Sequence, residues 1–234
     1  MEIEEMEQSG SENSCEKEQR QRDILEFGKI VTKGSAAVQT LVIAGQIEGH
    51  ATLPPPAKAT CYEHVLPQLV LAEESPEIEG VLFLINTVGG DVEAGLAMAE
   101  MIAGMSKPTV SLVLGGGHSI GIPLAVAAKK SFIAKSATMT VHPVRMNGLV
   151  LGVPQSFEYL KRMQERICDF ILSHSHISPE KLDSFMFGHH DMATDIGTIL
   201  EGEDAVKCGM MDKVGTFHDA LTELKGMIER EKAR

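Results

Sequence analysis

The chain has 234 residues, 43% of them hydrophobic, and a formal net charge of −12. That length allows one domain of ordinary to large size, or two small ones, and the acidic balance argues against nucleic acid or an anionic membrane as the main partner. The four cysteines, Cys15, Cys61, Cys168 and Cys208, form no C-x-x-C pair, so neither a zinc site nor a thioredoxin-type motif is expected, and isolated thiols suit a reducing compartment.

In chain order, residues 1–23 hold eight acidic and three basic side chains and few apolar ones. They cannot bury enough surface to offset ordering entropy, so a disordered acidic tail is expected. The start lacks the basic-then-apolar pattern of an export signal, and no run approaches the ~18 apolar residues of a membrane span, so the expected location is the cytoplasm. Residues 24–226 read as one domain and 227–234 as a charged end. No internal repeat of fixed period is present.

Residues 37–49, AVQTLVIAGQIEG, are β-branched and broken by glycines, predicting one or two strands. HATLPPPAKAT (50–60) carries three prolines in a row and reads as a surface loop. Residues 62–74 show helical spacing at Val65, Leu69 and Val70. GVLFLIN (80–86) and TVSLVL (109–114) are short apolar runs of the kind found in fully buried strands. The glycine turns TVGGDV and GGGHSIG follow them. Helices are predicted over 92–105, with Val92, Leu96, Ala99, Ile102 and Ala103 on one face, and over 122–130. SFIAK and ATMTVH (131–142) read as two more strands. Residues 153–177 form a long helix with a stripe of Val153, Phe157, Leu160, Met163, Ile167, Phe170, Ile171 and His174, and Pro154 in its first turn. Such a stripe serves as core or as a subunit contact. A helix over 178–186 starts with Ser178 as cap and Pro179 first. A helix ending at Gly209, a short strand, and an amphipathic helix from Phe217 close the chain. The alternation describes an α/β domain with largely parallel pairing.

The chemistry concentrates at the two glycine turns. Glycine exposes backbone N–H groups, and a helix start adds partial positive charge, so Gly89–Gly90 and Gly115–Gly117 together could hold an oxyanion or a phosphate. Neither G-x-G-x-x-G at these turns nor G-x-x-x-x-G-K-[ST] matches. GHSIG is formally G-x-S-x-G in a strand-turn-helix setting, which makes Ser119 either a nucleophile, with the Ile120 N–H beside it, or a helix N-cap. A serine needs a base. His142, at the end of a predicted strand, is placed to be one or to be a hydrogen-bonded structural histidine. His118 is adjacent in sequence and is expected to point elsewhere. His189, His190 and Asp191 are consecutive and do not suggest a converging metal site.

LINTVGGDVEAGLAMAEMI, GGGHSIG, TMTVHP and EGEDAVKCGMMDKVG, in this order and spacing, resemble the Clp protease proteolytic subunit family (peptidase S14), most of all its translocation-enhancing branch, over roughly residues 37–215. The resemblance implies a ClpP/crotonase-type fold of repeated ββα units with a long handle helix, corresponding to 153–177. It also implies a serine endopeptidase with a Ser-His-Asp triad. Ser119 would be the nucleophile and His142 the general base, with the Gly90 and Ile120 amides as oxyanion hole. An extended peptide substrate would add as a strand near Gly90, Asp91 and Val92 and after His142. Anchoring on EDAVKCGMMD puts the family's aspartate position on Gly197. Asp195 is therefore the expected third member, with Asp191 as the alternative. His118 stands where the family has a small residue. The family's N-terminal region is replaced here by the proline-rich loop and the acidic tail, which leaves an ATP-dependent unfoldase partner open. A homo-oligomeric ring joined through the handle helix, protein or peptide substrates, and no cofactor or metal are implied.

Four rival readings stand beside this one. An α/β-hydrolase-type esterase would use Ser119, Asp195 and His218 in that order. A Ser-Lys dyad would use Lys129 or Lys130. A catalytically inactive ClpP-like scaffold would bind peptides without cutting them. A crotonase-like acyl-CoA enzyme would share the fold and need neither Ser119 nor His142.

Overall fold

The computed structural model describes residues 19, 21–24, 28–146, 152–188 and 197–233. Six strands form the main path of the sheet: β1 (Lys29–Lys33), β2 (Ala37–Glu48), β4 (Gly80–Gly90), β5 (Thr109–Gly117), β6 (Lys130–Ile133) and β9 (Lys213–Val214), paired in that order. β1 is antiparallel to β2 and every later step along the path is parallel. β3 (Ala59–Cys61) extends the end of β2 in parallel. β7 (Thr138–Val141) meets β5 through the single pair Gly116–Thr138 and lies antiparallel to β8 (Thr198–Glu201). This mixed α/β architecture bears out the expected fold class.

Because side chains alternate across a strand, β4 feeds two cores. Val81, Phe83 and Ile85 join the larger cluster. It contains α1 (Tyr62–Glu74), α2 (Val92–Ala103), α3 (Gly121–Val126) and much of α4 (Val153–His174) and α5 (Pro179–Phe187). Leu82, with Val110 and Leu112 of β5, faces the opposite way onto Ala220, Leu224 and Ile228 of α7 (Phe217–Lys232). The short α6 (Gly202–Lys207) follows β8.

Several expectations shift. Both glycine runs belong to strand ends, Gly89–Gly90 to β4 and Gly115–Gly117 to β5, so the turns fall just after them. The helix expected over 122–130 stops at Val126. The chain is captured there by the sheet: Lys129 N–H donates to Thr109 Oγ1 at 2.9 Å and Ser131 N–H to Asp212 Oδ2 at 2.9 Å. Residues 59–60 are strand rather than loop. Val70 is exposed, and Ala72 takes its place beside Val65 and Leu69 on the buried face of α1. The stripe of α4 divides. Met163, Ile167, Phe170 and Ile171 are buried, while Val153 and Phe157 lie 68% and 64% exposed. Residues 21–24, at the border of the expected tail, are helical.

Candidate active site

β4 and β5 run in parallel, and β7 hangs from the end of β5. Their ends therefore meet at the carboxyl edge of the sheet, where open α/β sheets place ligands. After β5 the chain makes a tight elbow. His118 N–H donates to Thr87 O at 3.1 Å, Ser119 N–H to Thr140 O at 2.9 Å, Gly121 N–H to His118 O at 2.9 Å and Ile122 N–H to Ser119 O at 3.0 Å. Of the five amides from His118 to Ile122, Ile120 alone has no backbone acceptor among the described residues.

Ser119 has φ 57°, the one positive value at a non-glycine position among the described residues. Left-handed backbone disfavours L-residues and is held only where surrounding bonds dictate it. A strained strand-to-helix bend that lifts a serine is the geometry of a nucleophile elbow. The capping role falls away. The N-cap of α3 is Ile120, and no side chain caps that helix.

Two glycines make room for the elbow. Gly89 (φ 90°) lies so close that a Cβ on it would sit 2.7 Å from Ser119 Cβ. A Cβ on Gly116 would strike the His118 ring at Nε2. That ring is half-buried, with Nδ1 2.8 Å from Thr140 Oγ1. Burial, and secondarily the nearby His142, hold the His118 imidazole below its ordinary range, favouring the neutral ring.

His142 follows β7 directly. Its Nδ1 lies 2.7 Å from Pro143 O. A carbonyl oxygen only accepts, so Nδ1 carries the proton and the neutral ring keeps its lone pair on Nε2. Ser119, His142, Gly90, Val92 and Ile120 line one cavity of about 190 Å³ with an apolar wall that includes Ile122, Ile167 and Ile171. Asp91 is not among the lining residues. It is the N-cap of α2, its Oδ1 accepting from Ala94 N–H at 2.8 Å.

Asp195 and Asp191 lie outside the described residues, as do His189 and His190. Gly197, however, is described, and it abuts the histidine. At φ 141°, a Cβ on it would come within 2.5 Å of Val141 O and 2.9 Å of His142 Cβ. Gly197, the residue just before β8, thus lies directly against His142.

None of His218, Lys129 and Lys130 lines the cavity that Ser119 and His142 share. His218 is exposed at the start of α7, the helix on the other face of the sheet from the cavity. Lys129 Nζ donates to Ser106 O, and Lys130 pairs with Asp212 at 3.1 Å. One group among the described residues, Glu48, Cys61 and Glu63, has three potential ligand atoms within 4.8 Å of one another. Glu48 is already engaged, accepting from Leu53 N–H at 2.7 Å and from the Cys61 thiol at 3.1 Å. Burial, and then Glu48 itself, push that thiol up to about 11, so it stays protonated at neutral pH.

Three contributors carried little sequence signal. Thr140 binds the elbow through both its carbonyl and its hydroxyl. His118 braces it from beside the serine. Gln164, on the buried side of α4, lines the cavity and accepts from Val144 N–H at 2.6 Å. The one hint in the sequence is a glutamine between Leu160 and Ile167 in an apolar stripe, because a half-buried amide needs partners.

The sequence model for Clp protease matches residues 35–218. The chain is 58% identical over 195 residues to the translocation-enhancing protein TepA of Halalkalibacterium halodurans, covering 83% of this chain and 76% of that one. It is 27% identical to a protein of Methanocaldococcus jannaschii named "putative protease", over 65% of this chain and 57% of that one. It is 24% identical to the ATP-dependent Clp protease proteolytic subunit 1 of Chlamydia abortus, over 57% of this chain and 69% of that one. The chain spans well under two thirds of the M. jannaschii protein. With the mixed sheet, the elbow and these matches together, the chain belongs to the Clp protease family.

Proposed function

We propose that the protein is a serine endopeptidase that hydrolyses peptide bonds of proteins or unfolded peptides. The observation that carries the reading is the shared cavity, in which Ser119, His142, Gly90 and Ile120 all present surface. His142 Nε2 takes the proton of Ser119 Oγ as the oxygen attacks the substrate carbonyl carbon. The Gly90 and Ile120 amides stabilise the oxyanion that forms. The proton then passes from Nε2 to the departing amine, leaving an acyl-enzyme that water cleaves by the same steps in reverse roles. Asp195 completes the triad as a negative charge that favours the imidazolium, while the Nδ1 proton itself goes to Pro143 O. The contact of Gly197 with His142 supports this, since Asp195 is two residues upstream in the same segment.

The exposed apolar half of α4, with Val153, Phe157 and Tyr159, supports a subunit contact through the handle helix, and we take the working form to be a homo-oligomeric ring in the cytoplasm. Among the described residues no helix is long and apolar enough to cross a membrane. The name of the 58% identical relative speaks of enhancing translocation. For this chain it makes polypeptides in transit the substrate class to test first.

The test is cleavage of an unfolded protein followed by product mapping. The wild type should cut it and Ser119→Ala should not. Equal cleavage by both would remove the proposal, and binding without cleavage by the wild type would turn it into the peptide-binding scaffold.

A further inference from the structure

One peptide group ties the handle helix to the base of the proposed reaction. His142 Nδ1–H donates to Pro143 O at 2.7 Å. The other end of that same peptide unit is Val144 N–H, which donates to Gln164 Oε1 at 2.6 Å. The orientation of the Gln164 amide is fixed at its far side, where Nε2 points at Met186 Sδ, 2.7 Å away, and Cys168 Sγ, 3.3 Å away. Sulfur is a weak acceptor, so the amide oxygen, not the nitrogen, must face Val144 N–H.

We infer that Gln164 is the positioning residue for His142, acting through the Pro143–Val144 peptide. Two effects follow from the geometry. First, the amide oxygen anchors the plane of the peptide, so Pro143 O stays where it can receive Nδ1–H. That keeps the imidazole in the tautomer with its proton on Nδ1 and its lone pair on Nε2. Second, hydrogen-bonded chains polarise one another. Donation by Val144 N–H to Gln164 pulls electron density through the amide and makes Pro143 O a better acceptor. Pro143 has no N–H of its own to compete for a ladder position. The helix that carries Gln164 is packed into the core at Met163 and Ile167 on either side, which makes it a stiff mount. This inference rests on the peptidase reading for its catalytic consequence, though not for the tautomer.

The test compares the wild type with Gln164→Met, which keeps the side-chain length and removes the acceptor, and Gln164→Glu, which keeps an acceptor oxygen. Turnover of a peptide substrate should show kcat falling roughly ten- to a hundredfold in Gln164→Met with KM nearly unchanged, the pattern of a misplaced catalytic group. Gln164→Glu should recover most of kcat, with the acid limb of its pH profile moved to higher pH by the added carboxylate near His142. Nitrogen-15 NMR of histidine-labelled protein should show His142 protonated at Nδ1 in the wild type at neutral pH, and a loss of that preference in Gln164→Met. A wild-type kcat and pH profile in Gln164→Met overturns the inference, and so does an Nε2-protonated His142 in the wild type. If Gln164→Met does not fold, Gln164→Glu and the wild-type spectrum decide. A chain that hydrolyses nothing yet shows the tautomer and its dependence on Gln164 defeats the peptidase reading alone.

Discussion

The Ser119 amide donates to the Thr140 carbonyl at 2.9 Å, so the residue at the tip of the elbow is bonded to the strand that delivers His142 two positions later. The same threonine holds the neighbouring residue, its hydroxyl lying 2.8 Å from His118 Nδ1. Ser119 and His142 are thus set relative to each other by β7 itself. Thr140→Val keeps the shape and the backbone bond but strands His118 Nδ1. It should cost about 1–3 kcal/mol in a denaturant melt and lower the rate of active-site labelling. A melt and labelling rate equal to wild type would show the side-chain bond to be idle.

His118 gives the fold a dependence on pH. Its imidazole is held below the ordinary 6.5, by burial first and by His142 second. As pH falls, the unfolded chain therefore takes up this proton before the folded one does. The contribution to stability is complete above about pH 6.5 and is lost as pH drops toward the folded value. Thermal melts of wild type and His118→Asn across this range should converge at low pH relative to their separation at neutral pH. A constant separation would contradict the shift.

Gly89 is tested by adding one methyl group. In Gly89→Ala the new carbon would lie 2.7 Å from Ser119 Cβ, on a backbone at φ 90°. Strain of this kind costs on the order of 1–3 kcal/mol, and a displaced serine loses far more in rate than in stability. Labelling of Ser119 should slow at least about tenfold while the protein still melts cooperatively. Unchanged labelling would mean that the elbow relaxes freely.

The second core depends on α7. Leu224 is fully buried against the sheet, and Leu224→Ala should lower the unfolding free energy by about 2–5 kcal/mol. Because α7 packs on the face away from the cavity, kcat per folded molecule should be unchanged. A loss under about 1 kcal/mol would mean that the helix is only loosely held.

Residues with strong local chemistry were legible in the sequence. Ser178 and Pro179 announced a helix start, and Ser178 does cap α5, accepting from Lys181 N–H. Periodicity gave α1, α2 and α4 because each buries one face. Glycine is a weak strand former, so the glycine runs read as turns. Parallel pairing and Asn86, whose Oδ1 accepts from Gly116 N–H at 2.9 Å, hold them extended. β1, β3 and β8 carry little strand signal of their own, because short peripheral strands are defined by their partners rather than by their own residues. At the site, Ser119 and His142 stood out through motif and strand-end position. Thr140 and Gln164 did not, since their parts depend on contacts with residues 20 or more positions away. The split of the α4 stripe was equally hidden: periodicity marks an apolar face without saying what covers it.

In the proposed mechanism Ser119 carries a reactive hydroxyl and His142 is its base. Intact-protein mass spectrometry after treatment with a fluorophosphonate, followed by peptide mapping, tests it most directly. One adduct per chain is expected, located on Ser119, absent in Ser119→Ala and strongly slowed in His142→Ala. An adduct on another residue, or equal labelling of all three proteins, would contradict it.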